Sequence, residues 1–185
     1  MMITRISAAV QLAVGLSNMR DFLKVSHRDE DALIAGYIRA ATAACEGFTG
    51  RKLINQQWQL AFNDWAEEVI QIPLSPILSV DNIEVWQGGQ FQVIAPEYYL
   101  LDRTSYQPKI LPRAGYQWAV PEIDVAGIKI TISAGFGTDQ NDLPHDIRLG
   151  LMHWVAGAYD GRGSFENQAV TMAEKLWQPY RRVTL

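Results

Sequence analysis

The feature that most constrains this chain is a double change in the spacing of its apolar residues. Between Arg28 and Phe48, Leu33, Ile34, Tyr37, Ile38, Ala41, Ala44, Cys45 and Phe48 recur at three- and four-residue intervals, which places one apolar stripe on a helix. From Asn55 to Ser133 the interval drops to two. Trp58, Leu60 and Phe62 alternate with Gln57, Gln59 and Ala61; Ile83 and Val85 alternate with Asn82 and Glu84; Ile128, Ile130 and Ile132 alternate with Lys129, Thr131 and Ser133. This is the signature of strands with one face buried. At Leu143 the helical interval returns through Ile147, Leu151, Val155, Ala158 and Tyr159. Two helical stretches, each apolar on one side, bury their stripes most economically against each other, with the strand region looped out between them.

These spacings predict an α+β fold. Its base is a helical bundle made by N- and C-terminal helices, and a small antiparallel β lobe, sandwich or barrel, is inserted between them. The expected division is 1–54 for the N-terminal helical part, 55–137 for the β lobe, 138–178 for the C-terminal helical part and 179–185 for a tail, all within one domain. Ser26 is the expected cap of the first long helix, with Asp29 in capping-box position and Gly47 and Gly50 as its stop. A shorter helix is expected over Asn18–Lys24, capped by Ser17. Pro144 falls in the first turn of the second long helix, where its missing amide hydrogen costs nothing, and the chain breaks at Gly161-Arg162-Gly163. A last helix, Ala169–Gln178, ends at Pro179. Gly88-Gly89 within Trp86–Phe91 reads as a hairpin turn.

Composition removes several function classes. Hydrophobic residues make up 48% and charged residues 19% of the chain, which is a packed globular composition rather than a disordered one. Sixteen Lys+Arg against twenty Asp+Glu give a formal net charge of −4, so there is no electrostatic footprint for gripping nucleic acid. The single cysteine, Cys45, excludes an internal disulfide and a multi-cysteine zinc site. The apolar run Ile6–Leu16 is too short to span a bilayer and lacks a cleavage site, and a soluble, unexported protein is expected.

Few residues point to chemistry. Ile132-Ser133-Ala134-Gly135-Phe136-Gly137 holds half of a dinucleotide fingerprint, but Gln140 stands at the third glycine position and no helix opens there. There is no phosphate-binding G-x-x-x-x-G-K-[ST] loop, and Gly161-Arg162-Gly163-Ser164-Phe165 is not a nucleophile elbow. His27, His145 and His153 lack metal-pair spacing, and Cys45 falls on an inward helical stripe. Asp64, Glu67 and Glu68 read as a solvated turn. No catalytic residue, cofactor or metal is expected. What stands out is aromatic: Tyr98-Tyr99, Tyr106, Tyr116, Trp118 and the terminal Trp177-Gln178-Pro179-Tyr180, side chains that fill small sandwiches and also favour interfaces.

Several phrases in order carry a family resemblance. They are Asp29-Glu30-Asp31-Ala32-Leu33-Ile34 leading to Glu46-Gly47-Phe48-Thr49-Gly50-Arg51, Ile72-Pro73-Leu74-Ser75-Pro76-Ile77 with Ser79-Val80, and Tyr98-Tyr99-Leu100-Leu101-Asp102. Further on come the Ile128–Gly137 strand, Asp142-Leu143-Pro144, and Pro179-Tyr180-Arg181-Arg182. From about Leu16 to the terminus the chain resembles the head-tail connector (adaptor) proteins of tailed bacteriophages and gene transfer agents. The resemblance implies a structural virion protein and no enzyme: a homo-oligomeric ring, dodecameric in relatives, beneath the portal protein. Such a ring prolongs a channel through which double-stranded DNA passes without sequence-specific binding, and it offers a platform to a tail-side connector or stopper. It implies location at the head-tail interface of the virion, the bacterial cytoplasm during assembly, and no membrane. Carried over, Tyr180, Arg181, Arg182, Val183, Thr184 and Leu185 are the portal-contact candidates. Met1–Leu12 is more apolar than the short polar lead of such relatives. Two other readings compete: a small-ligand-binding or enzymatic domain using Trp58, Trp65, Trp86 and Trp118 of the β lobe as a stacking surface, and another virion ring such as a tail terminator.

Overall fold

The computed structural model describes residues 1–65, 67–104, 107–161 and 167–182. The chain divides into two compact units, one formed by Met1–Ala8 with Asn55–Gly135, the other by Ala9–Ile54 with the chain from Phe136 onward. The architecture is α+β, as the spacings predict.

Among the described residues the first unit holds eight strands: β1 (Met2–Ser7), β2 (Gln56–Phe62), β3 (Ile70–Gln71), β4 (Ile77–Gln87), β5 (Gln90–Val93), β6 (Tyr99–Asp102), β7 (Lys109–Pro112) and β8 (Ile128–Ala134). They form a five-stranded sheet in the order β1-β2-β8-β4-β5 and a three-stranded sheet in the order β3-β7-β6. Every pairing is antiparallel. Both sheets contribute to one apolar core, Leu60, Ile83, Ile128, Ile130 and Ile132 from the first meeting Ile70 and Ile110 from the second. Of the two alternatives, a sandwich is what forms. Ile128, Ile130 and Ile132 are fully buried while Lys129, Thr131 and Ser133 on the other face are only half-buried. The hairpin between β4 and β5 turns at Gly88 and Gly89, whose φ angles of +60° and +79° are those a two-residue primed turn demands.

β1 is a departure from expectation, since the sequence reading placed residues 1–54 with the helices. Met2–Arg5 pair in register with Trp58–Ala61 of β2. All six side chains of this edge strand are exposed, so no period-two apolar signal marks it.

The second unit contains α1 (Leu16–Leu23), α2 (Asp31–Thr49), α3 (His145–Asp160) and α4 (Asn167–Trp177). The two long helices do lie together. Ile34, Ile38, Ala41 and Cys45 of α2 share a core with Ile147, Leu151, Trp154, Val155 and Ala158 of α3, with Ala173 and Trp177 of α4, and with Met19 of α1. α4 approaches closely because α3 carries glycines a heptad apart: a Cβ at Gly150 would overlap the Trp177 indole, and one at Gly157 would overlap Ala169. No helix among the described residues is long and apolar enough to cross a membrane.

Helix ends differ from the sequence reading in instructive ways. α2 begins at Asp31, and the expected Ser26–Asp29 box does not form. Instead the Glu30 carboxylate accepts a hydrogen bond from the Tyr159 hydroxyl of α3, and Asp31 pairs with Arg20 at 3.5 Å. Gly47 lies inside the helix, while Gly50, at φ +68°, ends it. α1 starts one residue before Ser17, after Gly15, whose amide donates to Gln140 Oε1 at 2.6 Å. Pro144 stands just before α3, not within its first turn, and α4 stops at Trp177, followed by a 3-10 turn over Gln178–Tyr180. Arg162 and Gly163 of the expected break lie outside the described residues.

Candidate docking surface

The residues singled out at the C-terminus sit on a cradle built by the end of α2. Thr49, fully buried, donates its hydroxyl to the Cys45 carbonyl at 2.7 Å, and the same oxygen accepts the Arg51 amide at 3.2 Å. Glu46 pairs with Lys52 at 3.2 Å and accepts the Leu53 amide at 3.0 Å, fixing the path by which the chain leaves the helix. Against that fixed corner, Arg51 Nε donates to the Tyr180 carbonyl at 2.7 Å, and the Arg182 amide donates to the Thr49 carbonyl at 2.8 Å. The Arg181 guanidinium stands 5.4 Å from the Phe48 ring centroid, a cation–π distance. Tyr180 packs on the helical core, and its phenol is pushed above its ordinary range, first by desolvation and then by Asp146.

Tyr180, Arg181 and Arg182 therefore form an anchored root. Arg181 is exposed and Arg182 half-buried. Val183, Thr184 and Leu185 lie outside the described residues, as does Tyr106. The sequence signal for the root was the helix-stopping Pro179 followed by aromatic and basic residues. The partners Arg51, Thr49 and Phe48, about 130 positions earlier in the chain, gave no signal at all.

The aromatic residues of the strand unit make internal contacts. Trp65 and Trp118 stack with centroids 4.7 Å apart, Tyr98 and Tyr116 stack at 4.6 Å, and Tyr116 meets Trp118 edge-on at 5.8 Å. The indole N–H of Trp65 donates to the Ala119 carbonyl and that of Trp118 to the Glu68 carbonyl. This cluster ties the segment between β7 and β8 to the one after β2. Trp86 packs edge-on against Phe91, over which Lys129 lies, and Trp58 packs on the core of the unit. The four tryptophans of the competing ligand-binding reading do not share one stacking surface.

The remaining candidates are dispersed. His27 neighbours Asp29 and Glu30, His145 contacts Arg148, and His153 meets Phe22 edge-on. Among the described residues no group of three or more His, Cys, Asp or Glu is placed to hold a metal ion. Cys45 is fully buried, and desolvation raises its thiol far above the ordinary value. Asp64, Glu67 and Glu68 are exposed.

The conspicuous residues of this α+β protein serve packing and anchoring. The model of the phage gp6-like head-tail connector protein family matches residues 14–95. A chain from the neck of an empty GTA particle computed with C6 symmetry is 26% identical, with 100% of this chain and 97% of that one covered at a TM-score of 0.83. A chain from the virion of a native gene transfer agent particle is 25% identical over the same shares, at 0.84. One from the neck of a native GTA particle computed with C12 symmetry is also 25% identical over those shares, at 0.79. No curated protein matches the chain. The chain is thus similar over residues 14–95 to phage gp6-like head-tail connectors and over its whole length to chains of gene-transfer-agent particles, as the resemblance in its sequence implied.

Proposed function

We propose that copies of this chain close into a ring beneath the portal of a tailed phage or gene transfer agent particle, prolong the DNA channel and provide the seat for the next tail-side ring. One observation carries the reading: the fold is shared end to end with GTA neck chains, 100% of this chain against 97% of theirs. Necks computed with C6 and C12 symmetry support cyclic repetition, with twelve as the subunit number. In such a ring α2 and α3 contribute much of the contact between neighbours, each copy presenting two different faces. The net charge of −4 suits a conduit through which DNA slides, because few counterions would be released by binding. The segment Tyr180–Leu185 docks on the portal, its root held by Arg51 and Thr49 and its direction set by them. The protein assembles in the bacterial cytoplasm and ends at the head-tail interface.

The test is microscopy and co-sedimentation of the full chain with the portal encoded beside it. Rings on portal are expected, and both deletion of Tyr180–Leu185 and the milder Arg181→Glu/Arg182→Glu change abolish docking while helical content is kept. A protein that stays monomeric at high concentration, with and without portal, overturns the ring. Undiminished docking of both variants overturns the role given to the tail.

A further inference from the structure

We propose that β1 and β5, the two outer strands of the five-stranded sheet, pair with each other between neighbouring copies, as parallel strands that continue the sheet from one subunit to the next. The proposal rests on the ring reading above and adds to it a surface and a direction. Among the described residues, β1 is bonded only to β2 and β5 only to β4, so each has a row of amide and carbonyl groups facing outward. Strand edges in soluble proteins are ordinarily blunted by lysine, proline or inward charge. Here the edge sequences are Met-Ile-Thr-Arg-Ile-Ser and Gln-Phe-Gln-Val, with Arg5 the one charge and no proline.

Apolar exposure follows the same edges. Met2, Ile3 and Ile6 are 62%, 37% and 50% exposed, and Val93 is 62% exposed. Ile3 is the telling residue. It stands opposite Leu60, on the face of the sheet that carries the core, where Leu60, Ile130 and Ile83 in the same row are fully buried. It lacks only a strand beyond it. The lengths also match: register shifts after Arg5, leaving Met2–Arg5 as four regular residues against the four of Gln90–Val93.

Direction selects the partner. Four successive antiparallel pairings separate β1 from β5, so the two edges run the same way. A two-fold axis would set β1 against β1. A cyclic operator instead carries the whole sheet sideways. With the C12 symmetry of the related neck it does so twelve times around the axis. That operator brings β1 of one copy parallel to β5 of the next, and the contact repeats until the ring closes.

Thr4 and Val93 are exposed and lie on the outer face of the sheet, so cysteines there leave the core untouched. The full chain carrying Thr4→Cys and Val93→Cys, assembled on portal and treated with a short bis-maleimide, is expected to give a ladder of dimer, trimer and higher species. Each single variant is expected to give monomer alone. Dimers from Thr4→Cys alone would indicate two-fold β1 pairing and overturn the proposal. Rings without a ladder would also overturn it and leave the ring reading intact, whereas the absence of rings would remove both. As an independent arm, Ile3→Lys places a charge on the edge and is expected to cut ring formation at least tenfold with the melting temperature unchanged. Wild-type assembly by that variant contradicts the inference.

Discussion

The indole of Trp177 lies directly on Gly150, and its N–H donates to the Ile147 carbonyl one turn earlier on α3, at 3.2 Å. This pair sets how closely α4 packs on α3, because a side chain at Gly150 and the indole cannot share the same space.

Gly150→Ala is therefore expected to destabilise the helical unit by about 1–3 kcal/mol through overpacking, and Trp177→Ala by about 3–5 kcal/mol through the cavity it leaves. Because the overlap falls on the pyrrole side of the indole, Trp177→Phe in the Gly150→Ala background should cost less than the two single changes summed. Denaturant titration of the wild type, Gly150→Ala, Trp177→Phe and the double variant measures the coupling. Simple additivity would mean that the close approach does not define the packing.

Arg51 ties the C-terminal root to the corner after α2. Removing its guanidinium with Arg51→Ala frees the Tyr180 carbonyl and weakens the neighbouring bond from the Arg182 amide to Thr49. About 1.4 kcal/mol of local opening is expected, which corresponds to about tenfold faster exchange of the Arg182 amide hydrogen. Amides in the middle of α2 should keep their protection. An unchanged Arg182 amide would show that the root is held by other contacts.

The long amphipathic helices and the alternating isoleucines of β8 were legible because each encodes its own burial: the period of the apolar residues is the period of the element. The turn at Gly88-Gly89 was legible because few other residues adopt those φ angles. Three features were not legible, each for a physical reason. β1 has no buried face, so its sequence carries no pattern. The start of α2 is fixed by Tyr159, more than a hundred residues later, which captures Glu30 and overrides the local box at Ser26. Gly150 and Gly157 look like weak helix positions until α4 is seen to need the room. The candidate docking surface divides along the same line. Its C-terminal half, Tyr180 to Arg182, reads from a proline stop and a basic pair, while its cradle is tertiary.

Cys45 faces the centre of the helical unit, where burial and the neighbouring Glu46 charge disfavour the thiolate and outweigh the opposing hydrogen bond with Thr49. Since the thiolate is the reactive species, the native protein is expected to resist a disulfide reagent at pH 8 and to become labelled only as fast as the helical unit opens. Labelling rates measured across a denaturant series should then follow the opening equilibrium. Rapid, denaturant-independent labelling would place Cys45 at an accessible surface.

The contact between Tyr159 and Glu30 makes a prediction about alkaline pH. Hydrogen bonding to the Glu30 carboxylate, with lesser contributions from desolvation and nearby negative charge, raises the Tyr159 phenol above its ordinary value. A group whose folded pKa exceeds its unfolded one binds its proton more tightly in the folded state. Its stabilising contribution is complete below the unfolded value, near pH 10, and is lost as pH rises through the folded value. Tyr159→Phe removes the donor, so the variant is expected to be less stable than the wild type at pH 8. The gap should close above pH 10, because the wild type then loses the bond that the variant never had. Chemical denaturation of both proteins between pH 7 and 11 provides the test. A gap that stays constant across that range would mean that the Tyr159 hydroxyl contributes nothing through its proton, and that the beginning of α2 is held by the Arg20–Asp31 pair instead.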